Sequence, residues 1–266
     1  MKLLRTLGVL LLVLVASGCR SVRAPQEPVA PHFRLMTYNV NWGQSAPHLA
    51  VDIIRRETPD IVCLQETTPQ WEKYLRAALV REYPHMSFRT SVGRAGGGLA
   101  FFSRTRPAEV AYVPSDTGWF DGWVMQFSTA AGPVQVLNVH LRPPVSDRGG
   151  WVSGYLSTSD DRERELQRFY ARARHDVPLI VAGDFNDGEG SAVVRWLQDK
   201  GMRNALPEFD RYTPTWQWQT SLLTLRRRMD HIVYAPELYC FSARAIPGGA
   251  SDHFPVVATF GRSRIQ

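Results

Sequence analysis

Eight polar side chains recur where apolar runs end: Asn39, Glu66, His140, Asp184, Asn186, Asp230, Asp252 and His253. Carboxylates among them offer hard oxygen ligands to a divalent cation. An imidazole backed by a carboxylate can move a proton near neutral pH. Amide and imidazole N–H groups can donate to an oxygen that gains charge during a reaction. The clearest stretch is Pro178 to Asp187, in which four apolar residues, Leu179 to Ala182, end at Gly183 and are followed by Asp184 and Asn186. A carboxylate and an amide two positions apart at a strand end can share one cleft. Taken singly, each residue has an ordinary explanation: a turn amide for Asn39, a loop-opening acid for Glu66, a structural hydrogen-bonder for His140.

The elements that must position these side chains can be read from periodicity. Phe33 to Val40 alternates apolar and polar residues and predicts a first strand ending near Asn39. Pro47 opens a helix to about Glu57, Asp60 to Glu66 is a second strand, and Pro69 opens a helix to about Arg81. A carboxylate at the mouth of a buried strand, as at Glu66, is costly unless a cation or donors meet it. Short strands follow at His85–Thr90, Gly98–Ser103, Ala108–Val113, Gly122–Thr129 and Val134–His140, separated by turn signals such as Gly132-Pro133. Arg142 to Ser159 reads as a long loop containing Arg148, Trp151 and Tyr155, and Asp160 as the cap of a helix from Asp161 to about Arg174. Beyond the strand at Pro178 come a helix at Ser191–Lys200 and a second long loop, Leu206 to Leu225, holding Trp216 and Trp218. Strands at Met229–Tyr234, Cys240–Ile246 and Val256–Phe260 complete the chain.

In order, the pieces Thr37-Tyr38-Asn39, Leu64-Gln65-Glu66, Asn138-Val139-His140-Leu141, Gly183-Asp184-Phe185-Asn186, Arg228-Met229-Asp230-His231 and Ser251-Asp252-His253 resemble the signature of the endonuclease/exonuclease/phosphatase superfamily, the DNase I-like fold. The resemblance implies an α/β fold: a four-layer α/β/β/α sandwich of two mixed β-sheets flanked by helices, with the active site at one rim. It further implies a divalent-metal-dependent phosphoester hydrolase. Glu66 would be the principal Mg²⁺ ligand (Mn²⁺ or Ca²⁺ in its place), with Asn39 beside it and Asp252 in the metal set or around it. His253 would be the general base, oriented by Asp230. Asp184 would orient the attacking water or handle the leaving group, and Asn186 and His140 would donate to the phosphate.

Substrate is less determined. Repair-type members of the superfamily usually place a lysine soon after the metal-binding acid, whereas Glu66 is followed by Thr67-Thr68-Pro69. Arg142 and the run Arg226 to Arg228 flank the expected site, with Trp216 and Trp218 in the same loops. Arginines can meet a phosphate backbone and tryptophans can stack on bases, or the tryptophans simply anchor their loops. Nucleic acid is therefore favoured over a phospholipid or a small phosphoester, and a non-catalytic envelope protein on the same scaffold is the remaining alternative. No feature calls for a protein partner, and a monomer is expected.

Composition permits an anionic substrate. Lys and Arg number 31 against 25 Asp and Glu, a formal charge of +6. Only Lys2, Lys73 and Lys200 are lysines, so arginine, whose planar fork suits phosphate, carries most of the positive charge. Residues 1–18 have the basic start, short apolar run and small residues of a signal peptide. Ala16-Ser17-Gly18-Cys19 resembles a bacterial lipoprotein cleavage site, although Ala16 stands where leucine is usual. Residues 19–32 would then form a tether lipidated at Cys19, and 33–262 the catalytic domain. The expected location is the cell envelope of a bacterium, or outside it if Cys19 is unmodified. Cys63 and Cys240 sit in apolar runs, as buried thiols or as a disulfide. Replacement Cys19→Ser is expected to move the protein from the membrane fraction to the soluble fraction on cell fractionation; unchanged membrane retention would remove the lipid anchor.

Overall fold

A computed structural model of the chain describes residues 22–28, 31–90, 96–144 and 158–262. Signal and tether residues through Cys19 lie outside these, as do Arg148, Trp151 and Tyr155. Chain order runs β1 (His32–Asn39), α1 (Pro47–Glu57), β2 (Ile61–Gln65), α2 (Pro69–Leu79), β3 (His85–Arg89), β4 (Leu99–Ser103), β5 (Ala108–Val113), β6 (Gly122–Thr129) and β7 (Gly132–His140). It continues with α3 (Ser159–Tyr170), β8 (Leu179–Asp184), α4 (Ala192–Asp199), β9 (Arg203–Asn204), α5 (Leu206–Phe209), β10 (Trp216–Gln219), β11 (Thr224–Arg227), β12 (Asp230–Tyr234), β13 (Leu238–Ala245) and β14 (Val256–Arg262).

Two six-stranded mixed sheets result, ordered β13-β14-β1-β2-β4-β3 and β5-β6-β7-β8-β12-β9. Each has one parallel pair at its centre, β1 with β2 and β7 with β8, and antiparallel neighbours around it. A helix crosses over within each parallel pair, α1 in the first sheet and α3 in the second, as parallel strands require.

Side-chain alternation fixes the layers. Phe33 and Leu35 of β1, Ile61 and Cys63 of β2, Val134 and Val136 of β7, Ile180 and Ala182 of β8, and Ile232 and Tyr234 of β12 meet between the sheets. The intervening residues face outward: Met36, Val62 and Leu64 pack under α1 and α2, and Leu137, Val139 and Val181 under α3 and α4. On α1 the buried positions Ala50, Ile53, Ile54 and Glu57 follow helical spacing, and on α2 Thr68 caps the first turn by accepting from Trp71 N at 3.2 Å. Among the described residues, every buried apolar residue lies between Phe33 and Phe260. Residues 22–266 thus carry all of the core that the described residues form. Among the described residues no helix is long and apolar enough to cross a membrane.

Near one rim the inward-facing positions turn polar. Gln65 Nε2 donates to Thr37 Oγ1 at 3.0 Å and to Asn138 Oδ1 at 2.7 Å, which joins the two sheets. Asn138 Nδ2 donates to the carbonyls of Leu64 and Ala100 at 3.1 and 3.2 Å. All three side chains are fully buried. The network supplies directional contacts between faces that apolar packing alone would allow to slide.

Two expectations are corrected, and the reading of Cys63 and Cys240 as buried thiols holds. Leu206 to Leu225 is not one loop: it contains α5 and β10, and its end enters β11, which pairs with β10 from Trp216↔Arg227 to Gln219↔Thr224. The alternation Trp-Gln-Trp-Gln is a strand pattern outweighed in the reading by its polar neighbours. Helix α3 starts at Ser159 and ends at Tyr170, and Asp160 lies in its first turn, where a carboxylate favours the helix dipole without capping. Cys63 and Cys240 are free and buried. They lie on β2 and β13, three strand spacings apart, roughly 14 Å and beyond disulfide reach.

Asn138→Leu strands two buried carbonyls and breaks the inter-sheet contact. It is expected to lower stability by about 1–3 kcal/mol in urea unfolding; an unchanged midpoint would show the network to be dispensable.

Candidate active site

The C-terminal ends of the two parallel pairs meet at that rim. Asn39 ends β1 and Glu66 follows β2; His140 ends β7 and Asp184 ends β8. Their register places His140 beside Asp184, and Asp184 opposite Asp230, the first residue of β12. Asn39, His140, Asp184 and Asp230 share the parity of the residues between the sheets, so all four point into the inter-sheet space. Glu66 would face the helix side in a regular strand. Its φ of 61° breaks the alternation and turns it to the rim. Left-handed backbone at a non-glycine residue costs about 1 kcal/mol, and Asn186 at φ 51° has it too. Gly183 lets β8 lie close enough: a Cβ there would sit 1.9 Å from the carbonyl oxygen of Val139.

Asn39 binds the two halves of the site. Its Nδ2 donates to Glu66 Oε1 at 2.9 Å and to Asp184 Oδ2 at 3.0 Å, while its Oδ1 accepts from Asn41 N at 3.0 Å. Trp42 N donates to Glu66 Oε2 at 3.0 Å. His253 Nδ1 lies 2.9 and 3.1 Å from the oxygens of Asp230, and its Nε2 faces Asp184 Oδ2 at 3.6 Å. His140 Nε2 is 3.6 Å from Asp184 Oδ2 and 3.9 Å from Glu66 Oε1, and its ring stacks on Phe120 at 3.8 Å. Asn186 N donates to Asp184 Oδ1 at 2.8 Å, and its side-chain amide to the carbonyl of Leu141 at 2.9 Å. Asp252 accepts from Asn41 Nδ2 at 2.7 Å and from Trp216 Nε1 at 3.1 Å.

The two histidines are held in opposite states. Burial pushes His140 down to about 4, against the attraction of Asp184, so the ring is neutral at pH 7. Burial acts the same way on His253, but the charges of Asp230 and Asp184 and the Asp230 hydrogen bond outweigh it and raise the group to about 10. Burial also raises Glu66, partly offset by its bonds from Asn39 and Trp42, and it raises Asp184, offset by His253. Groups pushed apart in this way within one cleft are the pattern of an acid–base site.

The donor set fits a divalent cation. Glu66, Asp184, Asp230 and Asp252 converge, and among the described residues their ion pairs are only with His140 and His253. Oxygen atoms of Asp184 and Asp230 and a nitrogen of His253 lie within 4.8 Å of one another, which suits one ion. Glu66 presents a second carboxylate, bridged to Asp184 by Asn39. Asn39 donates its amide to both acids, and Asp252 accepts from Asn41 and Trp216 at the edge of the same group.

The structure places Arg142, Arg228 and Trp216 in contacts within the protein. Arg228 pairs with Glu189 and with Asp210 and donates to the carbonyl of Thr213. Arg142 pairs with Asp161 and lies over Trp119. Trp216 is buried and bonded to Asp252. Acids distant in sequence had to be folded beside these arginines before their charge could be counted as spent. Arg226, Arg227 and Trp218 are exposed on the β10–β11 hairpin. A groove of about 480 Å³ runs from Asn41 and Asp252 along Gln217, Trp218 and Arg226. A second, of about 490 Å³, is lined by Glu189, Arg211 and Arg226–Arg228.

Several further residues support the site without standing at a strand end with the chemistry-bearing set. Thr215 Oγ1 accepts from the backbone N–H groups of Met229 and Asp230, and Ser251 Oγ donates to the carbonyl of Asn39 while accepting from His253 N. Arg162, fully buried, pairs with Asp187 at 3.0 Å and holds the loop after β8. His231, part of the Arg-Met-Asp-His piece, is spent structurally on Asn204 and the carbonyl of Asp187.

Comparison with known proteins agrees with this architecture. Residues 36–253 match the Endonuclease/Exonuclease/phosphatase family, and the chain belongs to that family. It is 32% identical over 163 residues to the zebrafish (Danio rerio) protein "DNA repair nuclease APEX1", a match covering 59% of this chain and 50% of that protein. The chain thus spans about half the length of this curated relative. Among solved structures, D. rerio TDP2 complexed with a single-strand DNA product superposes with a TM-score of 0.68 at 18% identity, covering 86% of this chain and 99% of the other. An endonuclease/exonuclease/phosphatase from Beutenbergia cavernae gives 0.65 at 18%, covering 88% and 72%. The human Nocturnin catalytic domain gives 0.62 at 20%, covering 91% and 100%. These likenesses share the fold. Enzymes of the family depend on divalent metals, and the buried Asp184–Asp230–His253 group is able to bind one.

A raised folded-state value for His253 means that its stabilising effect in the metal-free protein is complete below about pH 6.5 and is lost as the pH rises towards about 10. The stability gap between wild type and His253→Gln in urea is therefore expected to narrow across that window; a gap independent of pH would detach this proton from the fold.

Proposed function

We propose that the chain is a divalent-metal-dependent phosphodiesterase acting outside the cytoplasm, with nucleic acid as its substrate. The observation that carries the reading is His253 held by Asp230 on one side and facing Asp184 on the other, beside Glu66. Glu66, Asp184 and Asp230 would hold Mg²⁺, which when bound supplies positive charge to the phosphate oxygens and relieves His253 of neutralising the acids. His253, its Nδ1 proton kept by Asp230, takes a proton from water at Nε2. Asp184 accepts from that water and fixes its direction of attack on phosphorus; as the new P–O bond forms, the P–O bond to the leaving oxygen breaks and that oxygen takes a proton from solvent. His140, neutral and donating from Nε2, and the remaining N–H of the Asn186 amide stabilise the phosphoryl oxygens as charge builds there.

Nucleic acid is favoured by the similarity to a protein named as a DNA repair nuclease and by Arg226 along the groove that begins at Asp252. Thr67 and Thr68 after Glu66, in place of a lysine, separate the chain from abasic-site repair. Thr67 is buried and Thr68 caps α2, so neither is available to a substrate as a cation would be. A second reading, a phospholipid phosphodiester, is favoured by one observation, the exposed leucines at the tip of the β10–β11 hairpin.

Purified residues 22–266, incubated with plasmid DNA, RNA, sphingomyelin and a chromogenic phosphodiester, are expected to cleave nucleic acid with Mg²⁺ and not with EDTA. His253→Ala is expected to lower turnover by at least about 10³-fold with folding intact. Lipid turnover alone would move the assignment to the second reading, and no turnover with any divalent metal would end the hydrolase reading.

A further inference from the structure

The β10–β11 hairpin departs from the rest of the surface. Nine large apolar side chains are exposed among the described residues, and four of them, Trp218, Leu222, Leu223 and Leu225, belong to these twelve residues. Leu222 is 91% exposed, Leu223 53% and Trp218 52%. Tyr212, just before the hairpin, is also exposed. Leu222 and Leu223 form the turn itself, which Thr220 holds by accepting from both of their N–H groups at 3.3 and 3.0 Å. The turn is therefore built to present these two side chains.

Pairing register sorts the strands into two faces. Gln217↔Arg226 and Gln219↔Thr224 make a polar face, and all four residues line the groove that starts at Asp252. Trp218↔Leu225 and the adjacent Arg227 lie on the other side by register, with buried Trp216 at the base, Trp218 at the edge of the same groove, and the leucine tip beyond them. The hairpin contains two arginines and no acidic residue, and the Arg227 guanidinium makes no ion pair among the described residues. At its base the hairpin is attached to the catalytic machinery: Trp216 bridges to His253 and Trp216 Nε1 donates to Asp252.

We propose that this hairpin is a docking element for an anionic lipid surface, with Leu222, Leu223, Leu225 and Trp218 entering the headgroup–acyl boundary and Arg227 meeting lipid phosphates. Two features select a bilayer over a protein. A two-stranded tip is convex and narrow, far short of the roughly 800 Å² per partner that a stable protein contact covers. A fluid interface needs no matching shape, and it takes leucine and tryptophan beside arginine. Docking there would set the rim holding His253 and Asp252 against the membrane. The proposal does not depend on which phosphodiester the site cleaves.

Co-sedimentation of residues 22–266 with vesicles tests it. The protein is expected to bind phosphatidylcholine vesicles containing about one-third phosphatidylglycerol, and to bind pure phosphatidylcholine far more weakly. Leu222→Ser/Leu223→Ser is expected to lower partitioning at least about tenfold, and Arg227→Gln roughly fivefold on the anionic vesicles only. Both variants should keep wild-type thermal unfolding and wild-type hydrolysis of a chromogenic phosphodiester. Failure of the wild type to sediment with anionic vesicles would overturn the proposal. So would wild-type partitioning of the double leucine variant, or a loss confined to its binding of a single-stranded oligonucleotide, which would make the tip a nucleic-acid contact. These readouts need no catalysis, so an inactive protein that docks, and an active one that does not, are both distinguishable results.

Discussion

Three carboxylates that converge at the seam between two sheets, two from one sheet and one from the other, are the constraint on which the rest of this molecule depends. Among the described residues Glu66, Asp184 and Asp230 make no ion pair with lysine or arginine, and burial of like charges is among the most costly arrangements a fold can contain. The protein answers with a protonated His253, with the Asn39 amide donating to two of the acids, and with backbone N–H groups at Trp42 and Asn186. What neutral groups and one imidazolium hold in place is a group of acids able to bind a divalent cation.

The architecture explains how such a site can be assembled. Each sheet has a single parallel pair at its centre, and a strand end between two helix-covered layers is the one place where an inward-facing residue reaches solvent. Along β1, β7, β8 and β12 the same alternation that buries Leu35, Val136, Ala182 and Ile232 delivers Asn39, His140, Asp184 and Asp230 at the rim. Catalytic geometry is thereby tied to core packing. The polar bridge of Thr37, Gln65 and Asn138, one layer deeper, fixes the offset between the sheets on which the distances from Asn39 to Asp184 depend.

Around this rigid centre the arginines divide by use. Arg142, Arg162 and Arg228 are committed to acids brought in by distant segments and hold the loops that frame the cleft. Arg226 and Arg227 stand exposed on a hairpin whose other residues are aromatic, aliphatic or neutral polar. Reaction chemistry and surface recognition therefore rest on separate elements, joined at Trp216, whose indole is bonded to Asp252 beside the imidazole of His253.

Strands β1, β2, β7, β8 and β12 and helices α1 and α2 were readable because apolar alternation and proline at a helix start act within a few residues. Six short polar pieces in family order pointed to the fold for the same reason, since each is a local strand-end pattern. Pairing was not readable. Whether Arg228 is free for a substrate depends on Glu189 and Asp210, whether Asp252 can ligate a metal depends on Asn41 and Trp216, and whether Cys63 can reach Cys240 depends on sheet order. Nor could the sequence show that His140 is neutral while His253 is charged, because burial and neighbouring carboxylates act through space. Residue types and their positions at strand ends were thus set by the chain's own local order, whereas roles were set by contacts between segments up to two hundred residues apart, which exist only once the two sheets have closed on each other.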